Sequence, residues 1–152
     1  MRLAAKALVA AAIVLVVGVS AAGAGSSGGD RGGAATGLQS FTGFQSPSGN
    51  IGCVIGRRGG VRCDIRNRDW SPPPKPASCQ LDWGFGLTVE RRGRGRFVCA
   101  GDTTLGQGRR LAYGDTIRRG RFRCESTRRG MRCVNRFTGH GFTLSRERAR
   151  RF

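Results

Sequence analysis

His140 is the only imidazole of the 152-residue chain, and it stands between two glycines in the string TGHGF. A hydrolase would use this ring as a general base, with Ser145 as the nucleophile and Asp102 or Asp115 orienting the ring. The sequence contains no Gly-x-Ser-x-Gly string, no His-Glu-x-x-His string and no other spacing that ties a nucleophile to the base. We therefore assign no catalytic residue, and a turn position is the alternative interpretation of His140.

Carboxylates are the second group that could carry chemistry, because a glycosidase uses two of them. The candidates are Asp64, Asp69, Asp82, Glu90, Asp102, Asp115, Glu125 and Glu147. Since the chain after residue 24 also carries 25 basic side chains, each carboxylate is expected to be an ionised ion-pair partner rather than an acid with a raised pKa. No pair can be placed at catalytic distance from the sequence.

Six cysteines form the third group, and their even number indicates disulfides in an exported chain. Consecutive cysteines are separated by 9, 15, 19, 24 and 8 residues, so no Cys-x-x-Cys string occurs. Zinc sites usually need such a tight pair of ligands. Disulfides are therefore predicted, with no metal and no cofactor. The cysteines are Cys53, Cys63, Cys79, Cys99, Cys124 and Cys133.

The first two cysteines fit a hairpin folded at Arg58. Three pairs then stand opposite each other on one face: Cys53 with Cys63, Ile51 with Ile65, and Ile55 with Val61. The other face carries Arg62, Asp64 and Arg66, as in a half-buried ribbon with a polar outer face. Glycines in the turn GRRGG supply positive φ angles.

The last two cysteines fit a second hairpin of the same plan, folded between Arg128 and Arg129. The opposed pairs are Cys124 with Cys133, Phe122 with Asn135, and Ser126 with Met131. Four arginines lie on the opposite face: Arg121, Arg123, Arg132 and Arg136. The match indicates an internal duplication, with independent convergence on a common hairpin pattern as the alternative.

A third hairpin is predicted in GLTVERRGRGRFVC, residues 86–99, folded at Gly93. Its opposed pairs are Val89 with Phe97 and Leu87 with Cys99. Cys79 lies just upstream and is the remaining partner for Cys99. The predicted disulfides are therefore Cys53–Cys63, Cys79–Cys99 and Cys124–Cys133.

Short alternating segments separated by glycines predict an all-β class, a small disulfide-stapled domain of short antiparallel hairpins with seven to nine strands. Only SRERARRF, at the C-terminus, has apolar spacing that permits a helix. The string WSPPPKP, residues 70–76, favours polyproline II and is predicted to be a stiff crossover. AGDTTLGQG, residues 100–108, is predicted to be a loop.

The N-terminal 24 residues predict a cleaved signal peptide, because two basic residues precede an apolar run of 13 residues, Ala7–Val19, and an Ala-x-Ala site ends at Ala24. Cleavage after Ala21 and an uncleaved anchor are the alternatives. Residues 25–40, rich in Gly, Ser and Ala, predict a disordered linker, and residues 41–152 a single six-cysteine domain. We therefore expect a secreted, extracellular or cell-wall-associated protein, with no transmembrane segment after cleavage.

The formal net charge of +18 predicts salt-dependent attraction to anionic surfaces. Arg-Arg-Gly occurs four times, three of them at predicted hairpin tips, where guanidinium groups can bind phosphate or carboxylate. The candidate anion-binding residues are Arg57, Arg58, Arg91, Arg92, Arg118, Arg119, Arg128 and Arg129. Anionic envelope polymers or lipid headgroups are the expected partners; specific nucleic-acid binding is not expected, because the aromatic residues fit packing at least as well as stacking platforms.

Several strings together resemble a family of small secreted actinobacterial proteins built on a six-cysteine domain of unknown function. They are FQSPSGNIGC, VRCDI, WSPPPKPASCQLDWGFGLTV, FVCAGDTTL, LAYGDTI, FRCES, RCVN and TGHGFTLSRE. The resemblance runs from Phe44 to Phe152 and implies an exported, disulfide-bearing bacterial domain without an assigned activity. We therefore expect a basic binding module at the cell envelope; the alternatives are an envelope-directed hydrolase using His140 and a secreted cationic effector.

Overall fold

Every regular element between residues 40 and 152, the part of the chain that the computed structural model describes, is a β-strand. In chain order the strands are β1 (Phe41–Gln45), β2 (Ile51–Gly56), β3 (Gly60–Ile65), β4 (Trp83–Val89), β5 (Arg96–Cys99), β6 (Arg109–Arg110), β7 (Thr116–Arg119), β8 (Phe122–Thr127), β9 (Gly130–Asn135), β10 (Gly141–Leu144) and β11 (Ala149–Arg151). The predicted all-β class is confirmed.

The eleven strands exceed the seven to nine expected, because β6 and β11 are short edge strands of two and three residues. SRERARRF supplies β11 rather than a helix. Within residues 40–152 no helix is long and apolar enough to cross a bilayer. The predicted signal peptide, and all of the predicted linker except Ser40, lie outside the described residues.

The strands form two sheets. The six-stranded sheet has the order β5-β4-β3-β2-β1-β6, and the five-stranded sheet has the order β11-β10-β9-β8-β7. Strands joined by short turns pair antiparallel, and β3 and β4 do so across the longer crossover, whereas β6 pairs parallel with β1. Each predicted stapled hairpin therefore lies in a different sheet.

The two stapled hairpins pack against each other at the centre of the molecule. Cys53 faces Cys63 in β2–β3, and Cys124 faces Cys133 in β8–β9, with all the predicted opposed pairs in register. Both cystines are fully buried, and the Sγ atoms of Cys63 and Cys133 lie 3.8 Å apart across the interface. The inner faces of the two sheets thus meet at two adjacent disulfides, surrounded by apolar side chains of both sheets.

The third hairpin forms, but its predicted register is wrong by two residues. Leu87 pairs with Phe97 rather than with Cys99, and Cys99 pairs with Trp83 across an irregular part of β4. The turn is centred one residue earlier than predicted, and the shift keeps the same side chains on the same face because the strand period is two residues. The Cys79–Cys99 disulfide forms beside this ribbon.

The proline-rich crossover forms no strand and is held against the six-stranded sheet. The Trp83 indole Nε1 donates a hydrogen bond of 2.9 Å to the Pro73 carbonyl oxygen. Gly84 has φ of 78°, and a β-carbon there would lie 2.4 Å from Pro72 Cβ. Glycine at this position therefore allows both the left-handed backbone and the close approach of the crossover.

Candidate functional site

Three of the four Arg-Arg-Gly strings meet at one end of the sandwich. Arg57 and Arg58 lie in the β2–β3 turn. The β4–β5 loop, which carries Arg91 and Arg92, begins beside that turn because Val89 pairs with Val61. In the other sheet β7 ends at Arg119, opposite Phe122, so the third string lies at the β7–β8 turn.

Contacts between the sheets show that these turns share one end. Gly120 adopts φ of 55°, and a β-carbon built there would lie 2.8 Å from the Arg57 carbonyl oxygen. The Arg119 Nε atom donates a hydrogen bond of 3.1 Å to the Thr42 hydroxyl at the start of β1. Arg136, just after β9, donates a backbone hydrogen bond of 2.8 Å to the carbonyl oxygen of Arg121, just before β8.

We call this surface the arginine end. It comprises Arg57, Arg58, Arg91, Arg92, Arg118, Arg119, Arg121 and Arg136. All are solvent-exposed except Arg121, which is half-buried. An open depression of about 570 Å³ within it is lined by Phe41, Arg58, Gly59, Glu90, Arg91 and Arg92.

The charge of the depression is strongly positive. Glu90 is the one carboxylate among its lining residues, and its carboxylate forms an ion pair with Arg96. The guanidinium groups of Arg58, Arg91 and Arg92 have no ion-pair partner within residues 40–152. Guanidinium groups free of carboxylates can donate paired hydrogen bonds to phosphate or carboxylate groups of a ligand.

Asn135 joins two of the loops at this end. Its side chain is fully buried, and its Nδ2 atom donates hydrogen bonds of 3.0 and 3.1 Å to the carbonyl oxygens of Glu90 and Arg91. Its Oδ1 atom accepts a hydrogen bond of 3.1 Å from the backbone N–H of Phe137. The position of the Arg91–Arg92 loop is therefore set from the opposite sheet.

The fourth Arg-Arg-Gly string lies elsewhere. Arg128 and Arg129 form the β8–β9 turn, which is the opposite end of β8 from Phe122. They line a depression of about 470 Å³ together with Thr143, Ser145, Glu147, Arg148 and Arg150. The predicted set of eight arginines is thus divided between two ends of the molecule, six at one and two at the other.

A buried ion-pair network accounts for two of the carboxylates. Asp64, which is 1% exposed, accepts hydrogen bonds from Arg62 Nε at 3.0 Å and from Arg62 Nη2 at 2.8 Å. Arg62 Nη1 also donates to Asp102 at 2.6 Å. This hydrogen bond and the positive charge of Arg62 hold the pKa of Asp102 below its ordinary value.

The network has a structural role, and the prediction of an open polar outer face for the first hairpin is wrong at Asp64. Thr104 in the 100–108 loop donates its backbone N–H to Asp64 at 2.9 Å and its hydroxyl to the Gly52 carbonyl oxygen at 2.7 Å. The loop is therefore fixed over the outer face of β2 and β3. Both carboxylates of this network bind one guanidinium, so they form an ion-pair network and not the pair of carboxylates on either side of a substrate that a glycosidase uses.

The structure does not assemble the hydrolase residues. His140 precedes β10 and Ser145 follows it, so an extended strand of about 16 Å separates them at ~3.3 Å per residue. The Ser145 hydroxyl donates instead to Glu147 at 2.8 Å. Asp115 bonds Ser126 through the backbone, at the far end of β8 from the β9–β10 loop that holds His140.

Asn135 was not among the residues that the sequence identified as parts of a site. The signal available was the predicted pairing of Asn135 with Phe122, which put an amide on the face that carries Phe122, Met131 and the two cysteines. Such an amide must find partners inside the protein. Which partners it finds depends on the other sheet, and the hairpin's own sequence does not specify them.

The chain belongs to a family of unknown function (DUF6636), whose model matches residues 31–152. No curated protein and no solved structure matches the chain. The three disulfides suggest an oxidising, extracellular environment.

Proposed function

We propose that this DUF6636 domain is an exported anion-binding module of the bacterial envelope, and that it binds phosphate- or carboxylate-bearing material through the arginine end. The observation that carries the proposal is the convergence of three Arg-Arg-Gly strings from two sheets on one surface. Export is supported by the N-terminal signal pattern and by three disulfides.

Charge placement supports this surface as an anion-binding site. Within residues 40–152 none of its eight arginines forms an ion pair, whereas Arg62, Arg96, Arg123 and Arg146 do. At the arginine end, like charges of three turns lie close together, which costs free energy that a bound anion would recover. These arginines also lie in or beside turns between paired strands, so binding must order their side chains but little of the backbone.

The test is a titration of the secreted protein with a linear inorganic polyphosphate, and calorimetry measures the binding affinity. The variant is Arg91→Gln/Arg92→Gln, and the matched control is Arg128→Gln/Arg129→Gln, which removes the same charge from the same Arg-Arg-Gly context at the other end. We expect the first variant to weaken binding by about tenfold or more, since it removes charge-assisted hydrogen bonds. The control is expected to change affinity by about twofold, through long-range charge alone.

Equal losses in the two variants would show that total charge, and not the arginine end, determines binding. Unchanged affinity in Arg91→Gln/Arg92→Gln would also refute the site. Retained disulfides and unchanged circular dichroism are the required controls for folding.

A further inference from the structure

The arginine end also carries exposed aromatic side chains. Phe137 is 77% exposed and Phe41 is 51% exposed, and both lie among the arginines. Phe137 follows β9 directly after Asn135 and Arg136, whereas Phe41 begins β1 and pairs with Gly56 beside the β2–β3 turn. A single exposed phenylalanine is ordinary on a protein surface. Two of them at the arginine end point to a partner that has both negative charge and an apolar region.

Phe137 is held in a fixed relation to the cations. Its backbone N–H donates to Asn135, which also binds the carbonyl oxygens of the Arg91 loop. The guanidinium carbon of Arg121 lies 4.9 Å from the centre of the Phe137 ring, within the range of a cation–π contact. The Phe137 side chain and the arginines around it therefore reach a partner together.

A bilayer surface that contains anionic phospholipids matches this arrangement. Its phosphates lie at the headgroup level, where arginines gain about fivefold in affinity for each charge near the surface. Acyl chains begin just below, at a depth that an aromatic side chain protruding from the arginine end can reach. A soluble polyanion satisfies the arginines but leaves Phe137 in water.

We infer that the arginine end docks on an anionic phospholipid surface, with Phe137, supported by Phe41, inserted into the boundary between headgroups and acyl chains. This inference rests on the proposed function and names the anionic partner as a membrane surface. The arginines bind lipid phosphates and the phenylalanine rings displace interfacial water.

The experiment measures partition of the protein onto vesicles of phosphatidylglycerol and phosphatidylcholine by cosedimentation, beside the polyphosphate titration. Phe137→Ala is expected to lower vesicle partition by about tenfold, since a buried apolar side chain is lost, and to leave polyphosphate affinity unchanged. Phe85→Ala is the matched control, because Phe85 is 50% exposed and also carries an arginine over its ring, but lies on the outer side of the six-stranded sheet. It should partition like the unaltered protein.

The two proposals fail separately. Suppose that polyphosphate binds through Arg91 and Arg92, but the protein does not bind vesicles or the Phe137→Ala variant partitions as well as the unaltered protein. The membrane inference is then overturned and the anion-binding function stands. An equal loss for Phe137→Ala and Phe85→Ala would overturn the inference as well. Loss of vesicle binding in Phe137→Ala, with polyphosphate binding intact, is the supporting result.

Discussion

The β2–β3 hairpin and the β8–β9 hairpin share one local plan. Each carries a disulfide between directly opposed cysteines with Cα atoms 4.1 Å apart, and each places a positive-φ glycine three residues before its second cysteine, at Gly60 and Gly130. A β-carbon at Gly60 would lie 2.5 Å, and one at Gly130 2.4 Å, from the carbonyl oxygen of the last residue of the next strand. The two units therefore solve the same turn problem in the same way.

The surroundings of the two hairpins differ. The outer face of β2–β3 is covered by the 100–108 loop, which buries Asp64. Within residues 40–152 the outer face of β8–β9 is half-buried or exposed, and its ion pair of Arg123 with Glu125 is more than a third exposed on both sides. Two residues after the second cysteine, the first hairpin has the apolar Ile65 and the second has Asn135.

This difference shows how one local pattern can serve two distinct roles. The first hairpin is enclosed and supports a fixed loop, whereas the second uses its one buried amide to position a loop of the other sheet. The turn of the first hairpin lies at the arginine end, and the turn of the second lies at the far end. Equal local patterns thus produce unequal contributions to the candidate site.

The largest difference in stability between the two hairpins is expected when Asp64→Ala is compared with its counterpart in the second hairpin. Removing this carboxylate leaves Arg62 with Asp102 as its remaining partner and takes away the acceptor of the Thr104 backbone N–H, so we expect a loss of about 3 kcal/mol in the free energy of unfolding. The counterpart Glu125→Ala removes an exposed pair and should cost about 0.5 kcal/mol. Urea unfolding measures both, and equal costs would mean that the loop covering β2–β3 contributes little.

Removing either disulfide tests the feature that the two hairpins share. The disulfides close loops of similar sequence separation, 10 and 9 residues. Cys53→Ala/Cys63→Ala and Cys124→Ala/Cys133→Ala should therefore each lower stability by about 2–4 kcal/mol. A difference larger than about 1.5 kcal/mol in urea unfolding would show that packing around the two cystines is not equivalent.

Asn135→Leu tests the amide that distinguishes the second hairpin. Three hydrogen bonds are lost, and two carbonyl oxygens are left unpaired, so stability should fall by about 1–3 kcal/mol. Amide exchange should accelerate in the loops around Arg91 and Phe137. Ser126→Ala is the control on the same face: its hydroxyl is buried without a hydrogen-bond partner in residues 40–152, and it should change stability by less than about 0.5 kcal/mol. Exchange that is accelerated equally in both variants would contradict the positioning role.

The smallest expected effect is a pH dependence of the loop over the first hairpin. Because the folded-state pKa of Asp102 lies below its ordinary value of 3.8, its contribution to stability is complete above that value and is lost as pH falls through the lowered pKa. Asp102 is largely exposed, so the contribution should be less than about 1 kcal/mol. Asp102→Asn should reduce the loss of stability between pH 5 and 3; an unchanged pH profile would exclude this linkage.

Side-chain alternation within each hairpin was legible from the sequence, because residues in a strand alternate with a period of two and opposed cysteines leave few registers. That was sufficient for the all-β class, the registers around Cys53–Cys63 and Cys124–Cys133, and the pairing of Cys79 with Cys99. Alternation was not sufficient for the register of β4 with β5. The irregularity of this pair near Trp83 depends on a crossover that packs from outside the ribbon.

The sequence by itself determined the stapled hairpins and their arginine turns, since contacts across a turn involve residues close together in the chain. Only the tertiary structure decided that Asp64 is covered by Thr104, 40 residues away, and that Asn135 reaches Arg91, 44 residues away. These contacts depend on which sheet each hairpin joins and how the sheets face each other. For that reason the sequence identified the arginines individually, and the packing of the two sheets decided which of them share a surface.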